Sequence, residues 1–180
     1  MIKLHLGCGW RNFGKDWIHI DGGDYEHLQY QDIEDLSQFD SDSVDLIYAS
    51  HVIEYFDRNH VQVLLKEWHR VLRKDATLRL AVPDLEILFS LYVDKKILLN
   101  QLLGPTYGKM PMGNIEIFHK TGYDYNDLED VLMKAGFRDV TRWDWRQTEH
   151  ADFDDHSQAY IPHMDKKNGQ LISLNVEAKK

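Results

Sequence analysis

A chain of 180 residues with 43% apolar side chains can bury a core of its own and is expected to form a single domain over residues 1–180. Its formal charge of −9 provides no basic field for a polyanion, so nucleic acid is not an expected partner. One cysteine rules out an internal disulfide, no signal-peptide pattern opens the sequence, and the most apolar stretch, Leu85 to Leu103, is broken by Asp94, Lys95 and Lys96; a cytoplasmic chain without a membrane span is expected.

The first predicted element is a strand near 2–6, in which Ile2, Leu4 and Leu6 alternate before Gly7-Cys8-Gly9. Glycines at a strand end let a ligand approach the main chain, because no Cβ stands in the way. A second strand, near 17–21, ends on Asp21, a carboxylate able to accept hydrogen bonds from two ribose hydroxyls. Strand, glycine turn and strand-end acid together describe a nucleoside site. The spacing argues against a dinucleotide: a pyrophosphate turn needs G-x-G-x-x-G and an acid about twenty residues further on. Here Asn12 occupies the last glycine position and Asp21 follows Gly9 after twelve residues. A nucleoside without a diphosphate is favoured, and S-adenosylmethionine (SAM) is the commonest such cofactor.

Further strands are predicted near 28–30, 44–49 and 76–82, with helices between the later ones, the alternation that builds a parallel α/β sheet. The helix over 60–73 is the clearest, with Val61, Leu64, Leu65, Trp68, Val71 and Leu72 on one face. A second helix starts from Asp84 as N-cap, and a third runs from about 126 to 135 between Asp124 and Gly136. The stretch Gly104-Pro105-Thr106-Tyr107-Gly108-Lys109-Met110-Pro111-Met112-Gly113 has no periodicity and reads as a loop. Residues 84–120, inserted after the fifth strand, are expected to form a substrate lid, since ligands of such sheets bind beyond the strands' carboxyl ends. A strand near 138–146 and a final one near 171–177 enclose residues 147–170. That irregular stretch is too aromatic to be a disordered linker and is expected to be ordered and near the substrate.

The segment from Gln31 to Tyr55, with Asp32-Ile33 and Ser50-His51-Val52-Ile53-Glu54-Tyr55, closely resembles the middle of small class I SAM-dependent methyltransferases. Ala76 to Asp84 and Asp127 to Phe137 resemble the fifth strand of that family and the helix before its sixth, so the similarity spans most of the chain. It implies a Rossmann-like α/β fold with a mainly parallel sheet and an antiparallel last strand. It also implies that Asp32 and Ile33 meet the adenine, and that Ser50, His51 and Glu54 lie beside the reacting centre. Two departures stand out. His5 replaces the acid many members carry, and Trp10-Arg11 replaces a small residue and a third glycine, so the first helix is expected to be shortened or lost. A subset of small bacterial-type members with an "LNLGCG…GW" opening is similar in this respect.

The expected cofactor site therefore comprises Leu6, Gly7, Cys8, Gly9, Trp10, Arg11, Asp21, Asp32, Ile33, Ser50, His51 and Glu54, with Arg11 pairing to the SAM carboxylate. Cys8 reads as a small buried apolar side chain and not as a nucleophile. His51, His119 and His156, in that order, are the candidate bases for an acceptor's proton; His51 and Glu54 are equally readable as residues fixing the loop against the SAM tail. The 149–156 cluster lacks metal-ligand spacing and no metal is assigned; Asp155, His156 and Tyr160 are expected to make polar contacts to substrate. The predicted activity is methyl transfer to an oxygen or nitrogen of a small molecule, such as a sugar or other metabolite. An aminopropyl transferase fed by the 149–156 acids and a silent SAM-binding subunit are the alternatives.

Overall fold

A computed structural model describes residues 1–112 and 115–180. The first half supplies β1 (Lys3–Leu6), β2 (Ile18–Ile20), β3 (Val44–Ser50), α1 (Arg58–Val71) and β4 (Leu72–Pro83). Next come α2 (Leu85–Val93), α3 (Leu99–Tyr107), the short strands β5 (Met110–Met112) and β6 (Ile115–Ile117), α4 (Tyr125–Lys134) and β7 (Arg138–Arg142). The chain closes with β8 (Tyr160–Ile161), β9 (Gln170–Leu171) and β10 (Ser173–Lys179). The central sheet has the order β2-β1-β3-β4-β10-β7. Its first four strands are mutually parallel, while β10 runs antiparallel to both β4 and β7. This is the expected sheet, with the last strand reversed. The strand expected near 28–30 reduces to one parallel bridge, Ile20 to Tyr30, at the β2 edge.

Period-two patterning divides the sheet into two faces. Leu4, Leu6, Ile47, Ala49, Leu78, Leu80, Leu174 and Val176 point into the main core, against Val61, Leu64, Leu65 and Trp68 of α1 and Leu128 and Leu132 of α4. Asp57 caps α1 by accepting from the backbone N–H groups of Asn59 and His60, and Asp124 caps α4 through the N–H of Asp127. The opposite face carries His5 and Tyr48 and is covered by loops. Phe13, Trp17, Leu46 and Tyr48 form a second core there, with Trp143 packed against it. No helix links β1 to β2. Local side chains take the backbone donors instead: His19 Nε2 accepts from Phe13 N–H at 2.8 Å and Asn12 Oδ1 from Gly14 N–H at 2.8 Å.

The loop expectation for 104–113 is corrected. Gly104 to Tyr107 form the end of α3, which stops where Gly108 turns left-handed at φ 53°, and Met110 to Met112 pair with Ile115 to Ile117 as a hairpin. Pro105 is tolerated because it lies in the last turn, where few bonds follow it. Gly113 lies outside the described residues. The stretch 147–170 is ordered, with a 3-10 turn at His156–Gln158 and the β8–β9 pair, and buries Asp155, Ser157 and Gln158. The strand expected over 138–146 ends at Arg142.

Candidate active site

The glycine turn is built as the spacing requires. Gly7 takes φ 65° and donates its N–H to Ile20 O at 2.8 Å, tying the end of β1 to β2. A Cβ at this position would run into the methyl groups of Val52. Gly9 also turns left-handed, at φ 56°, and donates to Asp21 Oδ2 at 2.7 Å; Gly23 donates to Asp21 Oδ1 at 2.7 Å. Two backbone donors thus fix the Asp21 carboxylate, and each oxygen keeps a lone pair for a further donor. A cavity of about 480 Å³ opens beside it. It is lined by Gly7, Asp21 and Gly22, by Ile33, Val52 and Phe56, and by His51 and Tyr55. The β5–β6 hairpin contributes Met110, Met112 and Ile115, and Phe118 follows it.

Ile33 reaches the cavity because α1 holds it, with Trp68 Nε1 donating to Ile33 O at 2.8 Å. Asp32 does not line the cavity. It is exposed, and its Oδ1 accepts from the N–H groups of Glu34 at 2.8 Å and Asp35 at 3.4 Å, so it caps a turn. Leu6 is in the core, and any approach there is to its backbone. Cys8 is buried, and burial together with the Asp21 carboxylate pushes its thiol up to about 12, which leaves it inert. Trp10 is 68% exposed with the Arg11 guanidinium 4.9 Å over its ring; Arg11 Nε donates to Asp154 O at 2.9 Å.

At the carboxyl end of β3 the chain bends sharply at His51, φ 55°, whose N–H bonds to Ala81 O at 2.8 Å. The following 3-10 turn, Ile53–Tyr55, tucks Glu54 into the interior with no exposed surface. Its Oε1 lies 3.5 Å from His51 Nδ1 and 3.7 Å from His119 Nε2. Burial pushes the Glu54 carboxyl up to about 8, and neither oxygen has a hydrogen-bond partner among the described residues. Burial, reinforced by His156, His119 and Arg11, holds His51 well below the ordinary imidazole range, so it is neutral at pH 7. His51 Nε2 lies 3.3 Å from Ser173 Oγ, and its ring is 5.0 Å from that of His156. The Ser50 hydroxyl is buried nearby without a partner.

The three candidate bases therefore meet at one place, although His119 comes from the far end of the 84–120 segment. The 149–156 acids do not line the cavity. Glu149 pairs with Arg79 at 3.2 Å and Lys3 at 3.5 Å; Asp155 accepts from Tyr48 OH at 2.5 Å. The Tyr160 hydroxyl accepts from Arg146 Nη2 at 2.9 Å and Trp145 Nε1 at 3.3 Å, so Asp155 and Tyr160 are spent on structure. Among the described residues no group of three His, Cys, Asp or Glu side chains converges as a metal site.

A family model described as a methyltransferase domain matches residues 14–80. No curated protein matches the sequence. Solved structures share the fold at low identity. A SAM-dependent methyltransferase from Archaeoglobus fulgidus is 17% identical, with TM-score 0.58 over 99% of this chain and 86% of that one. Another, from Thermotoga maritima, is 14% identical, with TM-score 0.58 over 99% and 81%. The 1,6-didemethyltoxoflavin-N1-methyltransferase of Burkholderia thailandensis is 12% identical, with TM-score 0.56 over 99% and 70%. Residues 14–80 thus match a methyltransferase domain, and the whole chain shares the fold of SAM-dependent methyltransferases.

SAM is the cofactor for which these neighbours are named, and the residues present here fit it. The fixed Asp21 carboxylate suits ribose hydroxyls, Gly7 lines the same cavity, and Ile33 with Met110 and Met112 offers apolar surface to a base. The family match begins at residue 14, beyond the glycine turn and beyond Trp10 and Arg11. Sequence reasoning missed Val52, Phe56 and the hairpin side chains as cavity residues. Met110, Met112, Ile115 and Ile117 do carry a strand signal, alternating with polar or proline positions, but Gly104 and Gly108 beside them dominated the reading.

Proposed function

We propose that this chain is a class I SAM-dependent methyltransferase that moves the SAM methyl group to an oxygen or nitrogen nucleophile of a small molecule, a sugar or comparable metabolite, in the cytoplasm. The observation that carries the reading is the single cavity in which Gly7, Asp21 and Ile33 face His51. A sulfonium is already an activated methyl donor, so the protein's task is alignment and disposal of one proton. Asp21 would grip the ribose, Gly7 would admit the cofactor to the main chain, and Arg11 would meet the methionine carboxylate. His51, held neutral by burial, would take the proton that an alcohol or amine loses. Residues 84–120 would act as lid, with the β5–β6 hairpin closing over the cofactor. The Burkholderia neighbour's N-methylation of a small heterocycle supports a small-molecule acceptor. A single cysteine, and the absence among the described residues of a helix long and apolar enough to cross a membrane, support the location.

Titration calorimetry with SAM, S-adenosylhomocysteine and NAD tests the cofactor assignment. SAM and S-adenosylhomocysteine should bind, and Asp21→Asn should weaken both by about tenfold or more, the equivalent of one lost charged hydrogen bond. Binding of NAD alone would overturn the reading, and labelled-methyl turnover on a panel of sugars and amines tests the acceptor class.

A further inference from the structure

Among the described residues Glu54 is the one fully buried carboxylate placed between two imidazoles, and its Oε1 is 3.5 Å from His51 Nδ1 and 3.7 Å from His119 Nε2. Both oxygens lack a hydrogen-bond partner among the described residues. A buried carboxyl with neither oxygen satisfied is costly, and is best explained by a charge it meets only at some stage of the working cycle.

We infer that Glu54 is a positioning residue, a shared proton holder that fixes the His51 ring from its Nδ1 side, with Ser173 Oγ the partner an acceptor displaces from Nε2, and that balances the imidazolium formed when His51 takes the acceptor's proton. Its second partner links the site to the lid. His119 N–H bonds to Tyr107 O at 2.9 Å, its ring packs edge-on to Tyr55 at 4.6 Å, and Tyr55 OH donates to Gly108 O at 2.8 Å. A Cβ on Gly108 would collide with the His119 ring. The last turn of α3 and the segment after β6 therefore hold one end of the triad, while β3 holds the other.

The groups facing Glu54 are His51 from β3, His119 from the lid, Tyr55 from its own turn and Tyr123 ahead of α4, with His156 and Arg11 acting on His51 from the loops. The two tyrosine hydroxyls are pushed above their ordinary values, foremost by burial and then by Glu54, so neither ionises in the working range. Glu54 and the two histidines should then titrate as a unit. One proton resides on the unit at neutral pH, and it leaves as the pH rises through the carboxyl's value of about 8. Only the deprotonated unit offers a carboxylate opposite a free His51, so the base is best armed on the alkaline side.

This role rests on His51 being the base proposed above, but its test needs neither acceptor nor turnover. Histidine side-chain NMR of the full chain is followed from pH 5 to 10, assigned with His51→Asn and His119→Asn. The expected result is a common inflection near 8 in the His51 and His119 resonances, absent from both in Glu54→Gln. His119→Asn should retain the inflection in His51 at a shifted value, and this serves if Glu54→Gln does not fold. Rings that titrate independently, or an inflection that survives in Glu54→Gln, would overturn the inference. Failure of the wild-type chain to bind SAM would defeat the proposed function while leaving the NMR result to judge the triad.

Discussion

Gly7 shows how one residue serves fold and site together. Its φ of 65° disfavours any side chain, and the space a Cβ would need is filled by Val52, itself a cavity wall. Gly7→Ala should therefore cost about 1–3 kcal/mol from the left-handed backbone and the displaced valine. It should also lower SAM affinity about tenfold, because Val52 can move only into the cavity it lines or into a packed core. A urea melt and calorimetry on the same variant check both effects; unchanged SAM affinity in a destabilised protein would separate the turn from the site. Asp32 makes the contrasting case. The family resemblance places an acid at the adenine, but here the carboxylate is spent on the backbone of Glu34 and Asp35, while Ile33 alone faces the cavity.

The β5–β6 hairpin lines the cavity with side chains that contribute little to the core. Met110 is 37% and Ile115 63% exposed, and neither belongs to a buried cluster. Replacing Met110, Met112 and Ile115 together by Ser should leave the unfolding midpoint nearly unchanged and weaken SAM binding about tenfold, since surface changes cost little while lost apolar contact to a base does not. Equal affinity in calorimetry would remove the hairpin from the site. The same hairpin marks how far the sequence could be read. Strands β1 to β4 and helices α1, α2 and α4 were legible because apolar periodicity and the caps Asp84 and Asp124 agree with tertiary packing. Helix α3 was not, because Gly104 and Pro105 in its last turns speak against a helix that is anchored chiefly through Leu102 against Leu88 and Ile97. The site was legible where local chemistry sets it, at Gly7, Asp21 and His51. The association of His119 with Glu54 depends on a return of the chain over 65 residues, for which no local pattern exists.

The helix-free face of the sheet sets the stability of the whole molecule against pH. Where β1 would be followed by a helix, the chain instead packs imidazoles. His5 stacks on Phe13 at 4.0 Å, Phe13 stacks on His150 at 5.2 Å, and His19 lies beside both His5 and His27. Burial, above all, lowers His19 and His150 to about 4 and takes His5 well below the ordinary range. In the unfolded chain these rings titrate near pH 6.5. Below that value the unfolded state binds protons that the folded state refuses, so the contribution is complete above about pH 6.5 and is lost as the pH falls toward 4. At pH 5 the loss is about 2 kcal/mol each for His19 and His150, a large part of a typical domain's stability. Glu54 runs the other way. Its raised value favours the folded state less as the pH climbs from the ordinary carboxyl range through about 8. The expected profile is a maximum near neutrality with a steep acid limb. Urea unfolding at pH 5, 7 and 9 should show the lowest midpoint at pH 5, and His19→Gln with His150→Gln should flatten the acid limb if the double variant folds. A wild-type midpoint that does not fall between pH 7 and pH 5 would mean that the buried imidazoles do not govern acid stability.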